Sequence, residues 1–90
     1  MVNFNENEEI IIEPVKIYPI PAKNDVTVEL NKSQNITAIS IYKLDGVLIN
    51  NIQSNNPKVK LELSDLPQGV YVLQIEDEFG EIFKRKLIKE

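Results

Sequence analysis

The chain of 90 residues contains no cysteine, no histidine and no tryptophan. Without cysteine, neither a disulfide framework nor a thiolate metal site can form. Without histidine, the usual general base near neutral pH and the common zinc sites are also unavailable. An enzyme would depend on carboxylates alone, as glycoside hydrolases do, and a domain this small has little room for a substrate cleft between two of them. We therefore expect no enzymatic activity, no cofactor and no bound metal.

Long apolar runs and an excess of positive charge are missing too. No segment approaches the ~20 apolar residues that span a bilayer, so we expect no direct membrane insertion. The N-terminus also lacks the basic-then-apolar pattern of a secretory signal. Ten basic residues stand against 14 acidic ones, which gives a formal net charge of −4. Nucleic-acid binders normally carry a basic excess, so we expect no nucleic-acid partner.

The acidic excess is concentrated at the start of the chain. Residues 1–13 contain four glutamates and neither lysine nor arginine, and asparagine is frequent among them. This composition predicts a solvated acidic linker or N-terminal arm over residues 1–13, followed by a single domain over residues 14–90. The run Ile10-Ile11-Ile12 has an alternative interpretation, because β-branched residues could pair along a sheet edge as an extra strand.

From Val15 onward, apolar and polar residues alternate with a period of two, and turn residues recur at short intervals. This pattern predicts β-strands and no helix. Asp45-Gly46 predicts a two-residue hairpin loop, and Gly80 a left-handed residue in a second hairpin. About seven short strands result. The fold class is therefore all-β, a small immunoglobulin-like β-sandwich of about seven antiparallel strands, with a small open barrel as the alternative.

Three motifs occur in order along the chain. They are Tyr18-Pro19-Ile20-Pro21-Ala22, Ile41-Tyr42-Lys43-Leu44-Asp45-Gly46, and Gly69-Val70-Tyr71 followed by a basic and apolar last strand. With this order and spacing, about residues 15–90 resemble the C-terminal sorting domain of the type IX secretion system of Bacteroidetes. That family usually has asparagine between the two prolines, where this chain has Ile20.

Each signature residue of the resemblance also has a structural explanation. The prolines fix φ and end a strand, glycine permits a bend or a close approach, and tyrosine packs its ring while its hydroxyl reaches a backbone group. We therefore interpret the signature residues as structural; they are Tyr18, Pro19, Pro21, Gly46, Gly69 and Tyr71.

The last strand combines cations with apolar residues. Considered alone, such a cluster usually guards a strand edge against the addition of another strand. The resemblance implies a different role, because in that family the translocation apparatus reads the extreme C-terminus. The matching positions are Lys84, Lys86, Leu87 and Ile88. Basic groups would suit an acidic partner, and apolar ones a groove or a sheet edge.

The resemblance implies a sorting signal. It would direct an upstream cargo in the same polypeptide through outer-membrane components of the type IX system, by way of the periplasm, to the cell surface or the extracellular space. A sortase-like protease would then cut the linker between residues 3 and 13, and the signal peptide would lie upstream in the full gene product. The alternative is an immunoglobulin-like binding or adhesion module for a carbohydrate or protein ligand. Sugar platforms expose several aromatic rings, and here only Phe79 is predicted to be exposed.

Overall fold

The computed structural model describes residues 13–31 and 34–90, and its regular structure consists of β-strands. The strands are β1 (Val15–Tyr18), β2 (Asp25–Leu30), β3 (Ile36–Lys43), β4 (Leu48–Asn56), β5 (Lys58–Glu62), β6 (Gly69–Asp77) and β7 (Ile82–Lys89). Over these two ranges, no helix is long and apolar enough to cross a membrane. The all-β class and the number of strands are as predicted. The candidate strand Ile10-Ile11-Ile12 lies outside the described residues.

The strands form two sheets, one of three strands in the order β1-β2-β5 and one of four in the order β4-β3-β6-β7. All strand pairings within the sheets are antiparallel. The chain changes sheet between β2 and β3, between β4 and β5, and again between β5 and β6. This arrangement is consistent with an immunoglobulin-like sandwich whose fourth strand joins the sheet of β3, β6 and β7.

A single apolar core joins the two sheets. In β2, Val26 and Val28 have no exposed surface, while the intervening Thr27 is only half-buried. The same alternation runs through β6 from Tyr71 to Asp77, because successive side chains of a strand point to opposite faces. In β3 it is interrupted, since the register shifts between Ile36 and Ala38 and Ser40 is buried on the outer side. The buried apolar residues are Val15, Ala22, Val26, Val28, Leu30, Ile36, Ile39, Ile41, Leu61, Leu63, Tyr71, Leu73, Ile75 and Leu87. Their removal from water is the main favourable contribution to folding.

Four residues, 44–47, separate β3 from β4, so the predicted two-residue loop is wrong. The Lys43 N–H donates to the Val47 carbonyl at 2.9 Å, and the Gly46 N–H donates to the Lys43 carbonyl at 2.9 Å. Gly46 has φ = 91°. This is a tight turn followed by a left-handed glycine, a common way to close a hairpin. The Asp45 carboxylate accepts the Val47 N–H at 3.2 Å and fixes the turn.

The hairpin between β6 and β7 uses the same backbone pattern. The Asp77 N–H donates to the Glu81 carbonyl, and the Gly80 N–H donates to the Asp77 carbonyl, both at 3.0 Å. Gly80 has φ = 81°, as the sequence predicted. A glycine is favoured here because a side chain at positive φ is strained.

A proline corner carries the chain from one sheet to the edge of the other. β1 ends immediately before Pro19, and the peptide bonds preceding Pro19 and Pro21 are both cis. Ala22 then pairs in parallel with the end of β7. Its N–H donates to the Ile88 carbonyl, and its carbonyl accepts the Glu90 N–H, each at 2.7 Å. The predicted corner is therefore present, and it also holds the terminal strand.

Candidate recognition site

The terminal strand β7 presents only part of the predicted recognition set to solvent. It pairs with β6 along its length. Lys84 and Lys86 are exposed and Ile88 is half-buried on the outer face of the sheet, whereas Leu87 faces the core with no exposed surface. The structure thus brings three of the four residues onto one face. Leu87 has no surface to offer a partner in the folded domain, and its side chain holds β7 in place.

Arg85 lies on the inner side of β7 and is engaged within the domain. Its guanidinium pairs with the carboxylate of Glu13 and donates to the Lys84 carbonyl at 2.8 Å. The guanidinium also lies 5.9 Å from the centre of the Phe83 ring, within reach of a cation–π contact. Arg85 therefore connects the start of the domain to β7. It also satisfies the Lys84 carbonyl, which points away from β6 at the edge of the sheet.

Lys89, the last cation of β7, is also engaged within the domain. Lys89 is largely buried, and its ammonium donates to the Glu90 carbonyl at 3.1 Å. Lys84 and Lys86 differ, since neither makes an ion pair within residues 13–31 and 34–90. The four cations of β7 therefore fall into two sets. Arg85 and Lys89 make contacts within the domain, and Lys84 and Lys86 face the solvent.

Tyr71 makes the backbone contact that the sequence predicted. Its ring is buried, and its hydroxyl donates to the Pro67 carbonyl at 2.5 Å. A tyrosine near the start of the sixth strand, bonded to the backbone a few residues upstream, is the tyrosine corner of immunoglobulin-like sandwiches. The sequence offers two explanations for Gly69, a bend or a close approach, and the close approach is not observed. A Cβ built there would lie 3.9 Å from the Tyr71 ring, an ordinary contact, so no close approach requires glycine.

Within residues 13–31 and 34–90 the exposed aromatic rings are Tyr18 and Phe79, so the prediction of a single exposed ring is wrong. Tyr18 is 40% exposed because it occupies an outward position of β1, and its hydroxyl donates to the Glu29 carboxylate at 2.9 Å. Phe79, 75% exposed, lies in the loop between β6 and β7. The two rings belong to separate elements and do not form a stacked platform on one strand.

The outer face of the larger sheet continues from β7 across all four strands. Lys86 is the register partner of Val72, Val72 of Tyr42, and Tyr42 of Leu48. Beside this row lies a shallow depression of about 340 Å³. The depression is lined by Tyr42, Lys43, Leu44, Gly46, Val72, Gln74 and Lys84. The described residues contain no group of three or more acidic side chains that could hold a metal ion.

A family model described as secretion system C-terminal sorting domain matches residues 16–90, which include nearly all of β1 and all of β2 to β7. The match contains the proline corner, both hairpins, the tyrosine corner and the terminal strand. The chain belongs to this family. Its members are C-terminal sorting signals of the type IX secretion system, and the proteins that carry them are exported to the cell surface or the extracellular space. A sorting signal of this kind is not itself catalytic.

One relative is beta-agarase D of Zobellia galactanivorans. It is 28% identical to the sorting domain over 76 residues, which cover 84% of this chain and 15% of the agarase. The sorting domain therefore spans only a small part of the relative that it matches.

Proposed function

We propose that the sorting domain delivers a cargo in the same polypeptide to outer-membrane components of the type IX system through the outer face of β7. The observation that supports this most directly is the exposure of Lys84 and Lys86 on one face, beside the half-buried Ile88. Residues on a strand held by its neighbours present charges at fixed positions, which favours recognition over charges on a loop. The natural partner is an acidic surface with an apolar contact for Ile88.

Leu87 contributes to this recognition indirectly. Because its side chain is buried in the core, Leu87 fixes the register and position of β7, and with it the direction of the neighbouring lysines. Removing residues 84–90 would delete most of an edge strand together with this core residue. Such a deletion tests folding as much as recognition, so point substitutions are needed.

The decisive experiment uses a reporter with a Sec signal at its N-terminus and this domain at its C-terminus, expressed in a type IX-competent bacterium. We expect the wild-type reporter at the cell surface and the Lys84→Glu/Lys86→Glu reporter in the periplasm. The matched control is Lys58→Glu/Lys60→Glu, which reverses two exposed lysines with the same spacing on β5 of the other sheet. Thermal melts of all three domains confirm folding. Equal delivery of the two double variants would refute the role of the β7 lysines.

We also propose that residues 1–13 are the linker, that a sortase-like protease cuts them between residues 3 and 13, and that the domain is a substrate without enzymatic activity. The first described strand begins at Val15, and the contact of Glu13 with Arg85 brings the chain into the domain beside β7. The linker would thus be presented next to the recognised strand. Mass spectrometry of surface-delivered reporter should find a cargo C-terminus within residues 3–13. A delivered cargo that retains residues 14–90 would contradict the cut.

A further inference from the structure

Three apolar side chains project from the hairpin between β3 and β4. Leu44 is 69% exposed, and Val47 and Leu48 are each 52% exposed. Single exposed apolar residues are ordinary, but three on one short hairpin form a local patch. We call Leu44, Val47 and Leu48 the hairpin patch. The turn itself needs only Asp45 and Gly46 for its geometry, and the core does not use the patch, so neither the fold nor the turn explains these side chains.

Two residues of the hairpin patch border the proposed recognition face of β7, since Leu44 lines the depression and Leu48 belongs to the row that ends at Lys86. Leu48 and Lys86 lie at opposite ends of one row across the larger sheet, with Tyr42 and Val72 between them. Neighbouring strands are ~4.8 Å apart, so the two ends of the row are ~14 Å apart. The depression beside this row is lined by residues from both the hairpin and β7. One bound segment could therefore contact the patch and the lysines together.

The lysines around the hairpin patch lack ion-pair partners in the part of the chain that the structure describes. Lys43, Lys84 and Lys86 make no ion pair there. The acid of the hairpin, Asp45, directs one carboxylate oxygen to the backbone N–H of Val47. A docking segment with carboxylates would therefore gain attraction over this face without displacing an existing ion pair.

The outer face of the smaller sheet is different. Lys16 is the register partner of Glu29, and the Lys60 ammonium lies 3.7 Å from a carboxylate oxygen of Asp25. Lysines and acids are thus interspersed on that sheet, and its surface offers no comparable excess of one sign. On the larger sheet the register partners of Lys84 and Lys86 are the uncharged Gln74 and Val72, and this difference distinguishes its outer face.

We propose that the hairpin patch is the second half of the docking surface, and that it takes an apolar segment bearing carboxylates from a protein of the export machinery. This inference rests on the proposed function of β7 and extends it along the same face to the opposite edge of the sheet. The terminal strand would supply the cations, and the hairpin would supply the apolar contact that the buried Leu87 cannot make.

The test is a Leu44→Ser/Val47→Ser/Leu48→Ser reporter with the same Sec signal. We expect the surface fraction to fall at least about tenfold, the change that accompanies ~1.4 kcal/mol of lost binding. The control Phe79→Ser removes a more exposed apolar side chain from the other hairpin and should be delivered normally. A melt shows whether the triple variant remains folded, and Leu44→Ser alone is the second variant if it does not. Normal delivery of a folded patch variant would overturn the inference.

The outcomes separate this inference from the proposed function. Failure of the wild-type reporter to reach the surface would overturn both proposals. Normal delivery of Lys84→Glu/Lys86→Glu would overturn the proposed role of β7 and the surface built on it. If the lysine variant is not delivered and the patch variant is delivered normally, the proposed role of β7 is supported. Only the docking role of the hairpin patch is then refuted.

Two further measurements test the chemistry of the partner. A photoreactive p-benzoylphenylalanine at position 48 should crosslink in cells to a protein of the outer-membrane fraction through a peptide that contains Asp or Glu, and one at position 79 should not. A crosslink to a second copy of this chain would contradict the proposed occupant. Lys43→Glu should lower delivery and Lys43→Arg should preserve it. Equal delivery of these two variants would exclude an acidic segment over the hairpin.

Discussion

Asp77 is an acidic residue with only 1% of its surface exposed, at the end of β6. One carboxylate oxygen accepts the backbone N–H groups of Phe79 and Glu81, both at 2.9 Å. The other oxygen accepts the side-chain amide of Gln34 at 3.3 Å. The side chain therefore accepts backbone N–H groups of the loop between β6 and β7 that have no partner in the sheet, and it joins this loop to the segment before β3. Buried polar groups persist where they are satisfied in this way.

Replacing Asp77 separates its acceptor role from its charge. We expect Asp77→Ala to lower the free energy of unfolding by ~1–3 kcal/mol, because two N–H groups lose their acceptor. Asp77→Asn should cost less, since its amide oxygen can still accept both. Urea denaturation of the two variants and the wild type measures the difference. Equal losses for alanine and asparagine would mean that the charge, rather than the acceptor geometry, stabilises the hairpin.

For individual residues, the sequence predicts local backbone conformation better than contacts with residues distant in sequence. Gly80 was predicted from its turn, where the local backbone alone requires positive φ, and the hydroxyl of Tyr71 was expected to reach a backbone group. The structure shows no close approach at Gly69, and such an approach depends on neighbours that the local sequence does not specify. The burial of Asp77 was missed for the same reason, since only the fold shows that the end of β6 lies under the loop.

Adjacent residues of β7 differ in burial and therefore in their expected contribution to stability. Leu87 has no exposed surface, whereas Lys86 next to it is exposed. We expect Leu87→Ala to lower the free energy of unfolding by ~2–5 kcal/mol through a core cavity. Lys86→Ala should leave the denaturation midpoint nearly unchanged, because exposed substitutions away from special contacts are usually mild. Chemical denaturation of both variants checks this. Similar midpoints would mean that β7 is not packed on the core as its alternation indicates.

The alternation of apolar and polar residues predicts most of the strands, because each of these strands has one buried face and one solvent-exposed face. The pattern is weakest in β4, because apolar residues are frequent only near its start and the strand extends to Asn56. β4 is an edge strand rich in asparagine, and its backbone bonds to β3 hold it without an apolar pattern. The exposed hairpin patch was visible in the sequence as apolar residues around an Asp-Gly turn, although that pattern alone predicted only a returning strand.

The two sheets are connected at the level of the whole molecule by the proline corner. Ala22 follows a strand of the smaller sheet and bonds to the end of β7 in the larger one. The first and last motifs of the family signature therefore meet, although nearly the whole domain separates them in sequence. No local pattern predicts this contact, because it depends on how the chain crosses between the sheets. It means that the proposed recognition strand and the start of the domain stabilise each other.

Removing Lys89 and Glu90 tests this connection. The truncation deletes the N–H that donates to Ala22 and the last β6–β7 register pair, between Gly69 and Lys89. Each hydrogen bond contributes ~0.5–1.5 kcal/mol, so we expect the free energy of unfolding to fall by ~1–3 kcal/mol. Because both sheets share one core, far-UV circular dichroism and tyrosine absorbance should still report one transition. Two separate transitions would show that the corner, rather than the core, makes the sheets unfold together.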